Sequence, residues 1–185
     1  FSKIPKDKFV FASWAVWRRV KRLDLAIEAF RTFHSEFPSS YFVVAGPVEN
    51  GFLESIRLDD IAESLLFTGP LCRSDIFSLI LSSHCCLITS DYETFGLQAI
   101  ESISLGRPVV ATRCGGPETI ICSDDLGRLA DVGNHQSIAD AMRWVYLNYE
   151  RFDGDQLKRH ANLMYSRESF AEKWRDAYSL LLKNL

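Results

Sequence analysis

Ser90-Asp91-Tyr92-Glu93-Thr94-Phe95-Gly96-Leu97-Gln98-Ala99-Ile100-Glu101 begins as a polar loop and ends as a helix. Just before it, Cys85-Cys86-Leu87-Ile88-Thr89 is a short apolar run of strand type. Just after it, Ile100, Ile103 and Leu105 continue at helical spacing until Gly106. The order is therefore strand, polar loop, helix, with the helix expected to begin near Thr94 or Phe95. In an open α/β sheet, ligands bind beyond the carboxyl ends of the strands. Glu93 falls in the loop and Glu101 about two turns into the helix. Both acids can then face one ligand lying across the helix's amino end.

The rest of the chain repeats this alternation. Strands are expected from Phe9 to Trp14, Tyr41 to Ala45, Leu65 to Thr68, Pro108 to Thr112 and Gly127 to Ala130. Helical stripes run through Leu23, Ala26, Ile27, Phe30 and Phe33, and through Ile138, Ala141, Met142, Val145 and Tyr146. A weaker helix is expected from Phe52 to Ala62. Another, through Ile76, Leu79, Ile80 and Leu81, is expected to be capped by Ser74. A last stripe, from Phe170 to Leu182, makes Ser166 to Leu185 an amphipathic helix. Strands alternating with helices imply a doubly wound, Rossmann-like parallel sheet of about six strands with helices on both faces. Residues 1–185 read as one domain.

Composition narrows the class. The net charge of −3 gives no support for a nucleic-acid binder. No apolar run approaches the roughly 20 residues that span a bilayer. The five cysteines, Cys72, Cys85, Cys86, Cys114 and Cys122, show no C-x-x-C spacing, which disfavours zinc and a disulfide framework and suits a reducing cytoplasm. His34, His84, His135 and His160 are scattered and read as structural or surface residues. The chain opens on Phe1 rather than Met and is read as a piece of a longer protein.

Several blocks together carry a resemblance. Glu93, Phe95-Gly96-Leu97 and Glu101 resemble the E-x7-E signature of retaining glycosyltransferases with the GT-B fold. Leu105-Gly106-Arg107-Pro108-Val109-Val110-Ala111-Thr112, Gly115-Gly116-Pro117-Glu118, the run from Lys21 to Phe30 and Phe67-Thr68-Gly69 follow in the family's order. The resemblance implies the donor-binding half of such an enzyme, moving a sugar from a UDP-, GDP- or ADP-sugar to an acceptor. A glycan or a lipid-linked glycan is the acceptor expected. It implies a preceding acceptor-binding domain, reached by the C-terminal helix. Contact with the cytoplasmic face of a membrane would come through that half. No metal or other cofactor is implied, because no Asp-x-Asp cluster accompanies the phosphate site.

Roles follow residue by residue. Lys21 is expected to neutralise the departing diphosphate and Glu93 to accept hydrogen bonds from sugar hydroxyls, the two catalytic positions. Glu101 is expected to hold the ribose hydroxyls. Thr94, Phe95, Gly96 and Leu97 would meet the phosphates at the helix N-terminus, and Gly69 to Leu71 would hold the base. The family's Gly-Arg pair is absent; Ser13-Trp14-Ala15-Val16-Trp17-Arg18-Arg19 stands there, leaving Arg18 or Arg19 to replace its cation. Each acid has an ordinary alternative: Glu93 as a first-turn acid favoured by the helix dipole, Glu101 as an exposed helical acid. Two rival functions stand beside it: a nucleotide-sugar epimerase of similar fold, against which the E-x7-E block with Phe95-Gly96-Leu97 argues, and a non-catalytic nucleotide or sugar module, which the missing Gly-Arg pair keeps open.

Overall fold

The computed structural model describes residues 4–49 and 56–183. Six strands form one parallel sheet: β1 (Phe9–Trp14), β2 (Ser40–Ala45), β3 (Leu65–Gly69), β4 (Cys85–Ile88), β5 (Val109–Thr112) and β6 (Gly127–Ala130). Their spatial order is β3-β2-β1-β4-β5-β6. The order reverses between β1 and β4, so a crevice opens there at the strands' carboxyl ends.

Alternate residues of each central strand face opposite layers. Phe11, Cys85, Leu87 and Val110 join α1 (Leu23–Glu36) and α5 (His135–Leu147) in one core. Val10, Ala12, Cys86, Ile88, Val109 and Ala111 join α2 (Arg73–Leu81), α3 (Leu97–Ser104) and α6 (Gly154–Tyr165) in the other. Both faces are covered, so β4 and β5 are continuous apolar runs rather than alternating ones. Cys85 and Cys86 are buried, and burial pushes both thiols well above their ordinary range; they act as small apolar core residues.

Two sequence expectations change, one helix is added, and the C-terminal helix lies away from the sheet. The part of the Phe52 to Ala62 helix before residue 56 lies outside the described residues. From 56 to 61 the chain is bend and turn, ending in the 3-10 turn Ala62–Ser64. Ser74 is not a cap: α2 starts at Arg73 after an extended Cys72, which places Ser74 inside the first turn. The helix α6 is an addition to the sequence reading: it is polar overall and buries only Leu157 and Ala161, although these and Tyr165 recur at helical spacing and pack into the core. Its start is nonetheless well capped, with Asp153 accepting the N–H groups of Asp155 and Gln156. Finally, α7 (Arg167–Lys183) does not cover the sheet. Phe170, Trp174, Tyr178 and Leu181 lie exposed along it. Among the described residues no helix is long and apolar enough to cross a membrane.

At the opposite end of the sheet from the crevice, His84 is half-buried. Its Nδ1 accepts the Val10 N–H at 3.0 Å, and its ring stacks on Phe9. Burial, and then the Arg107 guanidinium, hold its pKa below the ordinary imidazole value; burial and then Lys8 do the same to His34. Unfolded histidines take up a proton near pH 6.5. Stability is therefore full above about pH 6.5 and declines as pH falls from there to the depressed folded values, below which both states are protonated and the loss levels off. Thermal melts between pH 8 and 5 should show this decline, and His84→Gln should flatten it. An equally steep decline in the variant would remove His84 as its source.

Candidate active site

The site is assembled by two loops that leave the sheet on either side of the switch point. After β1 the chain passes through the 3-10 turn Arg19–Lys21 and enters α1 at Arg22, the one non-glycine among the described residues with positive φ, at 50°. That costly left-handed turn is supported by ion pairs from Arg22 to Asp24 at 2.9 Å and Asp91 at 3.0 Å. The loop after β4 is bonded directly to it. Thr89 Oγ1 donates to the carbonyls of Lys21 or Arg22 at 3.0 and 3.1 Å, and the Asp91 N–H donates to Val20 O at 2.8 Å.

This pairing brings Lys21 against Glu93. The Lys21 ammonium donates to Glu93 Oε1, and Ser90 Oγ donates to the same oxygen at 2.9 Å. Ser90 is buried, and its carbonyl accepts the Thr112 hydroxyl at 2.6 Å. Glu93 is also fixed through its backbone: its N–H donates to Cys114 O, and its carbonyl accepts the Gly116 N–H, both at 2.8 Å. The segment from Gly115 starts α4 (Gly116–Ile120), where the Glu118 carboxylate accepts the Gly115 N–H at 3.1 Å. Glu118 is thus a cap. A Cβ on Gly116 would lie 2.4 Å from the Phe95 backbone, so glycine is required for the two loops to close on each other.

The helix α3 begins later than expected. Gly96, at φ 85°, is its N-cap, and Leu97 its first residue. Thr94 is exposed and does not cap. Among the described residues, the N–H groups of Gly96, Leu97 and Gln98 have no protein acceptor. They face the same space as Lys21. Lys21, Glu93 and residues 94–98 line a cleft of about 240 Å³. A cation, a carboxylate and a helix N-terminus in one cleft suit an anion that carries hydroxyls.

Glu101 sits apart from that cleft. Its Oε2 accepts the indole N–H of Trp14 at 3.0 Å, while Gln98 donates its side-chain amide to the Trp14 carbonyl. Trp14 in turn lines a second cleft, of about 210 Å³, with Gly46, Pro47, Pro70 and Leu71. The Gly69 carbonyl is occupied by the Gly46 N–H at 2.8 Å. Arg18 and Arg19 are exposed and line neither cleft. Trp17 is buried, its indole donating to Ala45 O, and packs rather than lining a cleft. Sequence reasoning thus located Lys21, Glu93 and residues 94–97 together. It missed Ser90, Arg22, Gln98 and the bond between Trp14 and Glu101. A serine three residues before an acid and an arginine after a lysine carry no motif of their own, so only their contacts expose them.

The family described as glycosyl transferases group 1 matches residues 1–162. The chain belongs to this family. Among its relatives, N-acetyl-alpha-D-glucosaminyl L-malate synthase of Bacillus anthracis is 26% identical over 171 residues, covering 91% of this chain and 44% of that protein. The D-inositol 3-phosphate glycosyltransferase of Corynebacterium urealyticum is 28% identical over 148 residues, or 75% of this chain and 35% of that one. The chain therefore spans less than half the length of either. The fold is that of one half of a GT-B enzyme. TarM superposes with a TM-score of 0.80 at 23% identity, over 92% of this chain and 35% of its own. Anabaena Alr3699/HepE in complex with UDP and glucose gives 0.79 at 18%, over 94% and 48%.

The close approach of the two loops yields a prediction. Gly116→Ala forces the Phe95 backbone away and should destabilise the chain by about 1–3 kcal/mol, measured by urea unfolding. Full stability in the variant would show that the α4 start can shift freely.

Proposed function

We propose that this chain is the donor-binding half of a retaining glycosyltransferase, moving a sugar from a nucleotide-sugar to an acceptor held by a second domain. One observation carries the reading: Lys21, Glu93 and the free N–H groups at the start of α3 meet in one cleft at the switch point. In this reading the diphosphate lies over the N–H groups of residues 96–98 and takes Lys21 from Glu93. Glu93 is then free to accept sugar hydroxyls. Glu101 receives the ribose, and the cleft by Pro70 and Leu71 receives the base. Arg18 and Arg19 are exposed cations outside that cleft and take no role in this reading. Family membership supports the chemical class. The exposed apolar residues of α7 support a second domain, since this sheet does not cover them.

A non-catalytic nucleotide-binding module is the second reading. The position of Arg18 and Arg19 outside the Lys21 cleft favours it. Calorimetry and turnover separate the two. UDP, GDP and ADP are the probes, and at least one should bind. Glu101→Ala should weaken the free nucleotide and its sugar alike. Glu93→Ala should weaken only the sugar-bearing donor, by about 1.5–3 kcal/mol, the usual loss for a hydrogen bond to a charged group. Equal weakening of the bare diphosphate by both variants would reverse the assignment, and absence of binding by all three nucleotides would end it.

Catalysis gives a further test. The isolated chain should transfer no sugar, because positioning of the acceptor and exclusion of water need a second domain. In the full-length protein, Lys21→Ala should lower the turnover number on the order of 10²-fold, as removal of a donor to developing negative charge does. The diphosphate gains charge as the bond breaks, so the loss should exceed the loss in donor affinity. A raised Michaelis constant with unchanged turnover would make Lys21 a ground-state binder. No transfer by a full-length protein that binds donor would favour the module.

A further inference from the structure

We propose that Trp14 is a positioning residue that aims the Glu101 carboxylate at the nucleotide's ribose. The inference rests on the donor-site reading above. Trp14 is the last residue of β1 and is buried, at 7% exposure. Little of it is open for a base to stack on, and its one side-chain polar group is the indole N–H. That group is a donor and nothing else, and it is committed to Glu101 Oε2 at 3.0 Å.

The consequence for Glu101 is directional. Glu101 is a half-buried helical acid on α3, and a side chain of this length is ordinarily free to rotate among several rotamers. A fixed donor on one oxygen selects one of them. The other oxygen, Oε1, has no partner among the described residues and is left to accept a hydroxyl. The donor itself cannot wander. Its ring lies in the core beneath β1, and its backbone carbonyl is held by the Gln98 amide, one turn before Glu101 on the same helix. Trp14 also borders the cleft formed with Pro47, Pro70 and Leu71. The carboxylate is thus tied to Trp14, which borders the cleft assigned to the base, and follows by one turn Gln98, which lines the anion cleft; a ribose joining the two would come within its reach. Preorganisation of this kind removes the cost of ordering the side chain when the ligand arrives.

The test compares ribose with deoxyribose. UDP and 2′-deoxy-UDP, with the ADP and GDP pairs beside them, are titrated calorimetrically into the wild type, into Trp14→Phe, and into a protein carrying benzothienylalanine at position 14. The last keeps the ring's shape and lacks only the N–H, so a folding defect in Trp14→Phe leaves the question answerable. The wild type should prefer the ribonucleotide by about tenfold, the value of one hydrogen bond to a charged group. Both replacements should reduce that preference severalfold and leave inorganic pyrophosphate binding unchanged. In a Glu101→Ala background the replacement should change nothing further. A preference that survives the loss of the N–H overturns the role of Trp14 while leaving the donor site standing. A wild type that binds none of the nucleotides overturns the donor site itself, and this inference with it.

Discussion

The hydrogen bonds between the loop after β1 and the loop after β4 are the constraint on which the site depends. Parallel strands contribute nothing to each other beyond their carboxyl ends, and at a switch point the two flanking helices turn to opposite faces of the sheet. The loops must therefore be tied by other means. Thr89 supplies a hydroxyl to the Lys21 and Arg22 carbonyls, Asp91 supplies its N–H to Val20 and its carboxylate to Arg22. Each is an ordinary bond worth about 1 kcal/mol. Together they hold a left-handed arginine and set the Lys21 ammonium against Glu93. Without them Lys21 would be a long side chain on a solvated turn.

Much of this was legible in the sequence because it follows from local pattern. The apolar runs at β1, β2, β4 and β5 can only be strands buried on both faces, and their alternation with helical stripes gives a parallel sheet. The loop of Glu93 and the helix carrying Glu101 were readable for the same reason. What escaped notice depends on contacts between distant residues. Trp14 and Glu101 are separated by 87 positions, and no periodicity links them. The late start of α3 was hidden because Thr94 looks like a cap, whereas Gly96 supplies the positive φ that the turn against Pro117 and Ile120 requires. The helix α6 was hidden for a different reason: two buried residues in twelve leave its composition polar, and its short apolar face of Leu157, Ala161 and Tyr165 is held by packing in the layer of α3.

The basic loop shows why a resemblance has to be followed by geometry. Arg18, Arg19, Lys21 and Arg22 are near neighbours in sequence and look interchangeable as cations. Their surroundings divide them. Arg22 is consumed by Asp24 and Asp91 and serves the backbone. Arg18 and Arg19 project into solvent. Lys21 alone enters the cleft, and it does so because the 3-10 turn ends there and the chain reverses into α1.

The pairing of Lys21 with Glu93 also sets how the cleft must respond to a charged ligand. Both side chains are partly shielded, at 25% and 15% exposure, so each compensates a charge that would be costly to leave alone. An anion entering the cleft competes with Glu93 for the lysine. Ser90 matters at that moment, because its buried hydroxyl remains on Glu93 Oε1 when the ammonium turns away. The carboxylate then keeps one donor and seeks another, and a sugar hydroxyl is a donor of the right kind. In the proposed donor site, a neutral ligand would leave the pair intact and the cleft closed to hydroxyls, whereas a diphosphate would open it. On that reading, the ion pair would couple recognition of the phosphate to recognition of the group it carries, through two side chains and one serine.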